Sequence, residues 1–142
     1  MTWATQRLDE IVRGEGAIPP VVSTLQLGLL DSWQRGRVFK TWHASPDVLQ
    51  LDGAMFGGYI AALADQMAAF AAMTVVPGDQ AFRTTNLSVQ FFKVVRNPTL
   101  LVEGRVLSQS KSLITVDVEF RVGEALIARA SATQFLTLID AR

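Results

Sequence analysis

The sequence contains no cysteine and only one histidine, His43. The first absence removes disulfides, thiolate nucleophiles and thiolate zinc sites together, and it fits a reducing compartment. The second means that a Ser-His-Asp triad would have to run through His43, and it forbids the two-histidine helix of zinc peptidases. His43 falls on a segment read as a strand, where an ordinary strand residue is the simpler account. A surplus of either charge is also missing, because 13 basic side chains balance 13 acidic ones. No nucleic-acid surface and no polybasic membrane contact is expected, and an anionic ligand must be met by local groups. The opening MTWATQRLDEIVRGEG has neither the basic start nor the continuous apolar core of a signal peptide, so a cytoplasmic product is expected. At 142 residues the chain is read as one domain, 1–142, with 1–17 as an N-terminal helix or lid.

What is present is concentrated in Gly53–Val76, GAMFGGYIAALADQMAAFAAMTVV. From Ala54 to Val76 it carries one charge, Asp65, among Ala, Gly, Leu, Ile, Met, Val and aromatics. A helix apolar on all sides is normally wrapped by its own domain. A lone carboxylate inside it calls for a reason, because a buried unpaired charge is neutralised, paired or functional. The run is not read as a membrane span: Asp65 sits at its centre, where a charge costs roughly 2.5–3.5 kcal/mol, and the flanking apolar pieces are too short.

Around this helix the chain reads as follows. Trp3, Leu8, Ile11 and Val12 fit a short amphipathic helix over residues 3–13, ended by Gly14 and Gly16. After Pro19-Pro20, a first strand is expected at Gln26–Trp33, a turn at Gln34-Arg35-Gly36 and a second strand at Arg37–His43. A loop over 44–53 leads to Gly57-Gly58, which open the long helix; Pro77-Gly78-Asp79 closes it, giving about twenty residues and roughly 30 Å. The pattern then changes to period two: Leu87, Val89, Phe91; Leu100, Val102, Gly104, Val106; Ile114 through Val122; Leu126, Ala128, Ala130, Ala132. The turns at Arg96-Asn97-Pro98, Ser108–Ser112 and Gly123-Glu124 are short, so consecutive strands are expected to be antiparallel neighbours. The result is an α+β fold, a curved antiparallel sheet of five to six strands wrapped around one long central helix.

The segment QLDGAMFGGYIAALADQMAAFAA resembles the signature of single-domain hotdog-fold acyl-CoA thioesterases of the 4-hydroxybenzoyl-CoA and phenylacetyl-CoA type. TTNLSVQFFKVVRNPTLLVEGRV looks like the strand and hairpin that follow the family's helix, and IPPVVSTLQLGLLDSW is similar to its opening. Coverage runs from about residue 18 to the end. The resemblance implies that Asp65 is the catalytic carboxylate, as nucleophile or as base for a water. It implies that the Gly57 backbone N–H binds the thioester oxygen and that Gln50 lies beside the same site. Thr84 matches a position where some relatives carry a hydroxyl that helps place the water. It also implies an acyl-CoA substrate, no cofactor and no metal. One departure stands out: Phe56-Gly57-Gly58 replaces the usual His-Gly-Gly, so the contribution of that imidazole is missing.

The residues themselves support part of this. Free N–H groups and the positive dipole end at Gly57-Gly58 make a cradle for an oxyanion. Yet Gly57 and Asp65 are eight residues apart, about 12 Å along a helix, whereas nucleophile and oxyanion donor must both lie near one thioester. Two chains with antiparallel helices solve this, so a homo-oligomer, either a dimer or a dimer of dimers, is expected. Phe56, Gly58 and Lys111 are the substrate-binding candidates, Lys111 and Arg96 on the CoA phosphates. The plainer readings are a core Asp65 satisfied by Gln66 or a strand hydroxyl, a loop Gln50, and solvated Lys111 and Arg96. Thr84 has parity opposite to Leu87, Val89 and Phe91, so it faces away from the apolar side unless a bulge intervenes. Trp33, Trp42, Phe82, Phe91 and Phe92 read as core or interface. The rival functions are a hotdog dehydratase or hydratase, disfavoured because no histidine lies near the helix, and a non-hydrolytic acyl-CoA-binding or scaffolding protein, for which Phe56 argues.

Overall fold

The computed structural model describes residues 1–96 and 99–140. Its helices are α1 (Trp3–Val12), α2 (Pro20–Leu25) and α3 (Gly57–Met73), and its strands are β1 (Ser32–Gln34), β2 (Arg37–His43), β3 (Gln80–Phe91), β4 (Thr99–Gln109), β5 (Leu113–Val122) and β6 (Ala125–Leu138). The strands form one antiparallel sheet in the order β1-β2-β4-β5-β6-β3, curved around α3.

Alanines at 61, 62, 64, 68, 69, 71 and 72 give α3 its helical propensity and let it lie close to the sheet. At Gly104 on β4 an added Cβ would stand 2.8 Å from Val38 Cγ2 and 3.1 Å from the Met67 carbonyl oxygen, so the glycine is what admits the helix there. Buried Ala128, Ala130 and Ala132 do the same along β6. The helix has 17 residues, fewer than expected. Thr74 Oγ1 donates to the Ala71 carbonyl at 2.7 Å and accepts the Gly36 N–H at 2.9 Å. The side chain thus ends the helix and ties it to the β1–β2 turn.

Two expectations are corrected. The segment after Pro19 is a helix, because Pro20 at its first turn has the fixed φ that a helix start favours. The chain then reverses at Gln26 in a left-handed conformation, φ 54°, and the first strand shrinks to Ser32–Gln34. The Gln26 carbonyl accepts hydrogen bonds from Tyr59 Oη at 2.8 Å and Trp42 Nε1 at 3.1 Å, which hold the turn against α3 and β2. Burial pushes the Tyr59 hydroxyl up to about 12, so it stays a donor at neutral pH. Secondly, β3 and β4 are not hairpin neighbours: β3 pairs with β6, and β4 lies between β2 and β5. Two strands intervene, three spacings or about 14 Å, and the link from 92 to 98 is too long for a tight turn and long enough to cross. Of the expected turn there, Asn97 and Pro98 lie outside the described residues.

The N-terminal helix α1 buries Ala4, Leu8 and Ile11, while Trp3 and Val12 are exposed. Trp3 Nε1 donates to the Gln80 carbonyl at 3.0 Å and Trp33 Nε1 to Asp9 Oδ1 at 2.9 Å, so α1 is tied to β3 and β1. Among the described residues no helix is long and apolar enough to cross a membrane.

Candidate active site

Asp65 projects from the middle of α3, and its side chain is exposed in the single chain. The chain's own sheet thus does not wrap the helix on the side of its one charge. Leu63, Ala64, Met67 and Ala68 are buried against the sheet, whereas Gly58, Ala61, Ala62, Asp65 and Ala69 form a stripe that the chain leaves wholly or partly open. The helix is apolar nearly all round, and only one of its faces is covered within the chain.

Thr84 Oγ1 stands 2.8 Å from Asp65 Oδ1 and 3.1 Å from Gln134 Oε1. A regular strand would turn Thr84 away from Leu87 and Val89. Between Thr84 and Asn86 the β3–β6 register slips by one residue, and this bulge points Thr84 toward the helix. Gln134 stands opposite Thr84 on β6 and is fully buried. Sequence reading stopped the inward-facing set at Ala132; continuing the same parity reaches Gln134, an amide where an apolar side chain is the norm. That break in pattern was the available signal.

These three residues line a cavity of about 650 Å³. Its walls come from α1 (Ile11), α2 (Val21, Val22, Leu25), α3 (Ala62, Ala69, Phe70, Met73) and β3 (Phe82), and its polar groups are Arg7, Asp65, Gln66, Arg83, Thr84 and Gln134. The size suits an apolar group of ligand scale, with polar chemistry gathered at Asp65. Behind Gln66 lies a second polar residue missed in sequence, Lys40, which is 5% exposed. Its Nζ donates to the Leu27 carbonyl at 2.8 Å and to Gln66 Oε1, and Gln66 Nε2 donates to the Gly28 carbonyl at 2.7 Å. Burial pulls the Lys40 ammonium down to about 7, against the opposing pull of Asp31.

The other candidates lie elsewhere. Gly57 and Gly58 open α3 two turns away from Asp65, and Phe56 precedes them as an N-cap that supplies no side-chain acceptor. The Gly57 N–H therefore has no intrahelical partner. A Cβ on Gly57 would meet the Phe91 ring at 3.2 Å, and Phe56, Phe91 and Phe92 are 61%, 53% and 52% exposed. Gln50 lies on the loop before the helix, with its Nε2 3.3 Å from the Met55 carbonyl oxygen. In the same loop Asp52 accepts the Ala54 N–H at 3.0 Å and pairs with Arg96 at 3.3 Å. The Ala54 hydrogen bond, followed by Arg96, holds the Asp52 carboxyl below the usual carboxylate range, so Arg96 is engaged by that partner. Lys111 is exposed on the β4–β5 turn, at the end of the sheet where Gln109 Nε2 donates to the Val75 carbonyl at 3.0 Å. One chain thus brings together Asp65 and Thr84 and leaves Gly57, Gln50, Phe56, Gly58 and Lys111 outside that cluster. Among the described residues no group of three histidine, cysteine, aspartate or glutamate side chains is placed so that it could hold a metal ion.

A six-stranded antiparallel sheet curved around one long helix is the hotdog architecture, and the family match makes the chain a thioester hydrolase. Residues 52–128 match the Thioesterase superfamily, more than half of the chain, and the chain belongs to that superfamily. No curated protein matches it. Among solved structures it is similar to a thioesterase from Haemophilus influenzae, with 14% identity, 100% of this chain and 96% of the other covered, and a TM-score of 0.81. A thioesterase family protein from Silicibacter pomeroyi shares 22% identity over 93% and 99% of the two chains, with a TM-score of 0.80. A Streptococcus mutans protein, bound to acetyl CoA, shares 25% identity over 79% and 90%, with a TM-score of 0.70.

Proposed function

We propose that the protein hydrolyses acyl-CoA thioesters at a site shared between two copies, with Asp65 of one copy acting on a thioester held by the Gly57 N–H of the other. The observation that carries this reading is the Asp65–Thr84 pair at the mouth of an apolar cavity, on a helix face that the chain itself leaves open. The cavity takes the acyl or aryl group. Thr84 occupies Oδ1 of the carboxylate, so Oδ2 serves as base for a water. The water oxygen bonds to the carbonyl carbon, its proton passes to Asp65, and the oxyanion is held by backbone N–H groups. The C–S bond then breaks, and CoA thiolate, a good leaving group, departs and is protonated.

The reading of a shared site rests on distance and on exposed surface. Gly57 and Asp65 are about 12 Å apart along their own helix. The strip Gly58, Ala61, Ala62, Asp65 and Ala69 has small side chains that admit a second helix closely. The edge strand β3 is 12 residues long, paired on one side only, and ends at exposed Phe91, followed by exposed Phe92. A long, bare, partly apolar edge is a liability in a lone chain and a natural seam between two copies. Coenzyme A as the thiol half draws on the acetyl CoA of the Streptococcus mutans relative. Gln50 and Gly58 at the helix entrance belong on this reading to the thioester end of the site, Phe56 to its apolar wall, and Lys111 to the phosphates.

The test is hydrolysis of a panel of short, long and aromatic acyl-CoAs by wild type and Asp65→Asn. Turnover in wild type that falls at least about 100-fold in a folded Asp65→Asn variant is the expected result, the size typical of a lost acid–base group. Binding without turnover in wild type would sink it in favour of an acyl-CoA binder. Acyl-modified Asp65 in a quenched reaction would reassign the carboxylate as nucleophile.

A further inference from the structure

We infer that Gln134 is a positioning residue that directs the Thr84 hydroxyl proton onto Asp65, an inference that rests on the proposed role of Asp65. The Thr84 oxygen stands between two groups, 2.8 Å from Asp65 Oδ1 and 3.1 Å from one end of the Gln134 amide. A hydroxyl has a single proton. Offered to the amide oxygen, it is lost to the carboxylate; offered to the carboxylate, it leaves the hydroxyl oxygen free to accept. The two ends of a glutamine amide have the same shape, and the surrounding network decides which one faces a neighbour.

Two features of the surroundings decide it. The carboxylate is the stronger acceptor, since a hydrogen bond to an ionised oxygen exceeds one to a neutral amide. Moreover, Gln134 is fully buried, and with Oε1 toward Thr84 its Nε2 finds no acceptor. Both N–H groups are then stranded away from water and Oε1 faces the lone pairs of Thr84, whereas the reversed amide strands one N–H and the oxygen and removes that repulsion. With Nε2 toward Thr84 the chain of donors runs one way, from the Gln134 N–H to Thr84 Oγ1, and from the Thr84 O–H to Asp65 Oδ1. Each step uses a donor once. The Thr84 proton then has a single direction, Oδ1 is held, and Oδ2 is presented to the water. A glutamine does this and a glutamate does not, because an ionised carboxylate only accepts and would draw the proton of Thr84 toward itself.

The experiment is steady-state hydrolysis over pH 5.5–9 by wild type and the variants Asp65→Asn, Gln134→Met, Gln134→Glu, Thr84→Val and Gln134→Met/Thr84→Val. Folding of each is checked by thermal unfolding. Gln134→Met is expected to lower kcat roughly tenfold or more with KM within about twofold, because acyl binding does not need the relay. The double variant is expected to match Thr84→Val, since Gln134 acts through that hydroxyl. Gln134→Glu is expected to lose activity as pH rises through a carboxyl pKa raised by burial and by Asp65, and to regain it at lower pH, a limb absent from wild type. A Gln134→Met enzyme within twofold of wild type in kcat, or losses that multiply in the double variant, would overturn the inference. If Gln134→Met does not fold, the reversible limb in Gln134→Glu decides alone, and its absence overturns the inference. An active Asp65→Asn would instead remove the reading on which it rests.

Discussion

Thr84 Oγ1 lies 2.8 Å from Asp65 Oδ1, across the gap between strand and helix, because the bulge at Thr85 turns the threonine inward. The pair depends on one proton, so its two atoms can be separated by mutation. Thr84→Val preserves shape and removes the donor; kcat is expected to fall about 10–100-fold, with KM little changed, the scale of a misplaced reacting group. Thr84→Ser keeps the hydroxyl and is expected to retain most activity. Equal losses in both variants, measured on one acyl-CoA, would show that packing of the threonine methyl matters and its hydroxyl does not.

The contrast between Thr84 and Asp65 also marks how far the sequence could be read. Alternation of Ile114, Val116, Val118 and Phe120 placed β5 correctly because each residue answers to the same local rule. Asp65 was visible as the single charge in an apolar run. Which residues of α3 the sheet covers was not, since that depends on the strand order, in which β3 pairs with β6 and sets Leu87 opposite Ala132 and Val89 opposite Ala130. A bulge has no sequence mark of its own, so parity alone leaves the direction of Thr84 open, and the register slip between Thr84 and Asn86 decides it. Gln134 and Lys40 were legible in principle, as polar residues at inward positions of β6 and β2.

If the site joins two copies, complementation between chains must restore it. Gly57→Pro removes the N–H at the first helical position, where proline is accepted. Phe56 already has the extended conformation that a residue before proline requires, with φ −75° and ψ 129°. Gly57→Pro and Asp65→Asn are each expected to be inactive. Unfolded and refolded together in equal amounts, half of the dimers are mixed and one of their two sites is intact, so about one quarter of wild-type activity should return. No recovery above the separate variants would rule out the shared site.

Gly104 tests the closeness of α3 to the sheet independently of chemistry. A methyl group there would meet Val38 Cγ2 at 2.8 Å and the Met67 backbone oxygen at 3.1 Å. The valine methyl can move; the helix backbone can do so only by lifting α3. Gly104→Ala is therefore expected to destabilise by about 1–3 kcal/mol, the usual cost of overpacking. A change below 0.5 kcal/mol in urea unfolding, on the order of a surface substitution, would mean that α3 floats on its sheet.

Lys40 gives the fold a pH dependence whose sign can be worked out. Burial holds its pKa at about 7 in the folded chain, whereas an unfolded lysine keeps its proton to about 10.4. Below pH 7 both states are protonated and the full cost of burying the ammonium is present. Between about pH 7 and 10.4 the unfolded chain binds the extra proton, so the contribution of this residue to stability rises with pH across that window. The folded amine remains satisfied when neutral, because its two N–H groups match two acceptors, the Leu27 carbonyl and Gln66 Oε1. Lys40→Met removes the titration and leaves other groups in place. Wild type should therefore gain on Lys40→Met from pH 7 to 10, by at most about 4 kcal/mol for a shift of three pH units. Urea midpoints of both proteins at pH 6, 8 and 9.5 measure the gain. A difference that stays flat would mean that Lys40 keeps its proton in the fold, and that water or Asp31 screens the charge which its burial isolates.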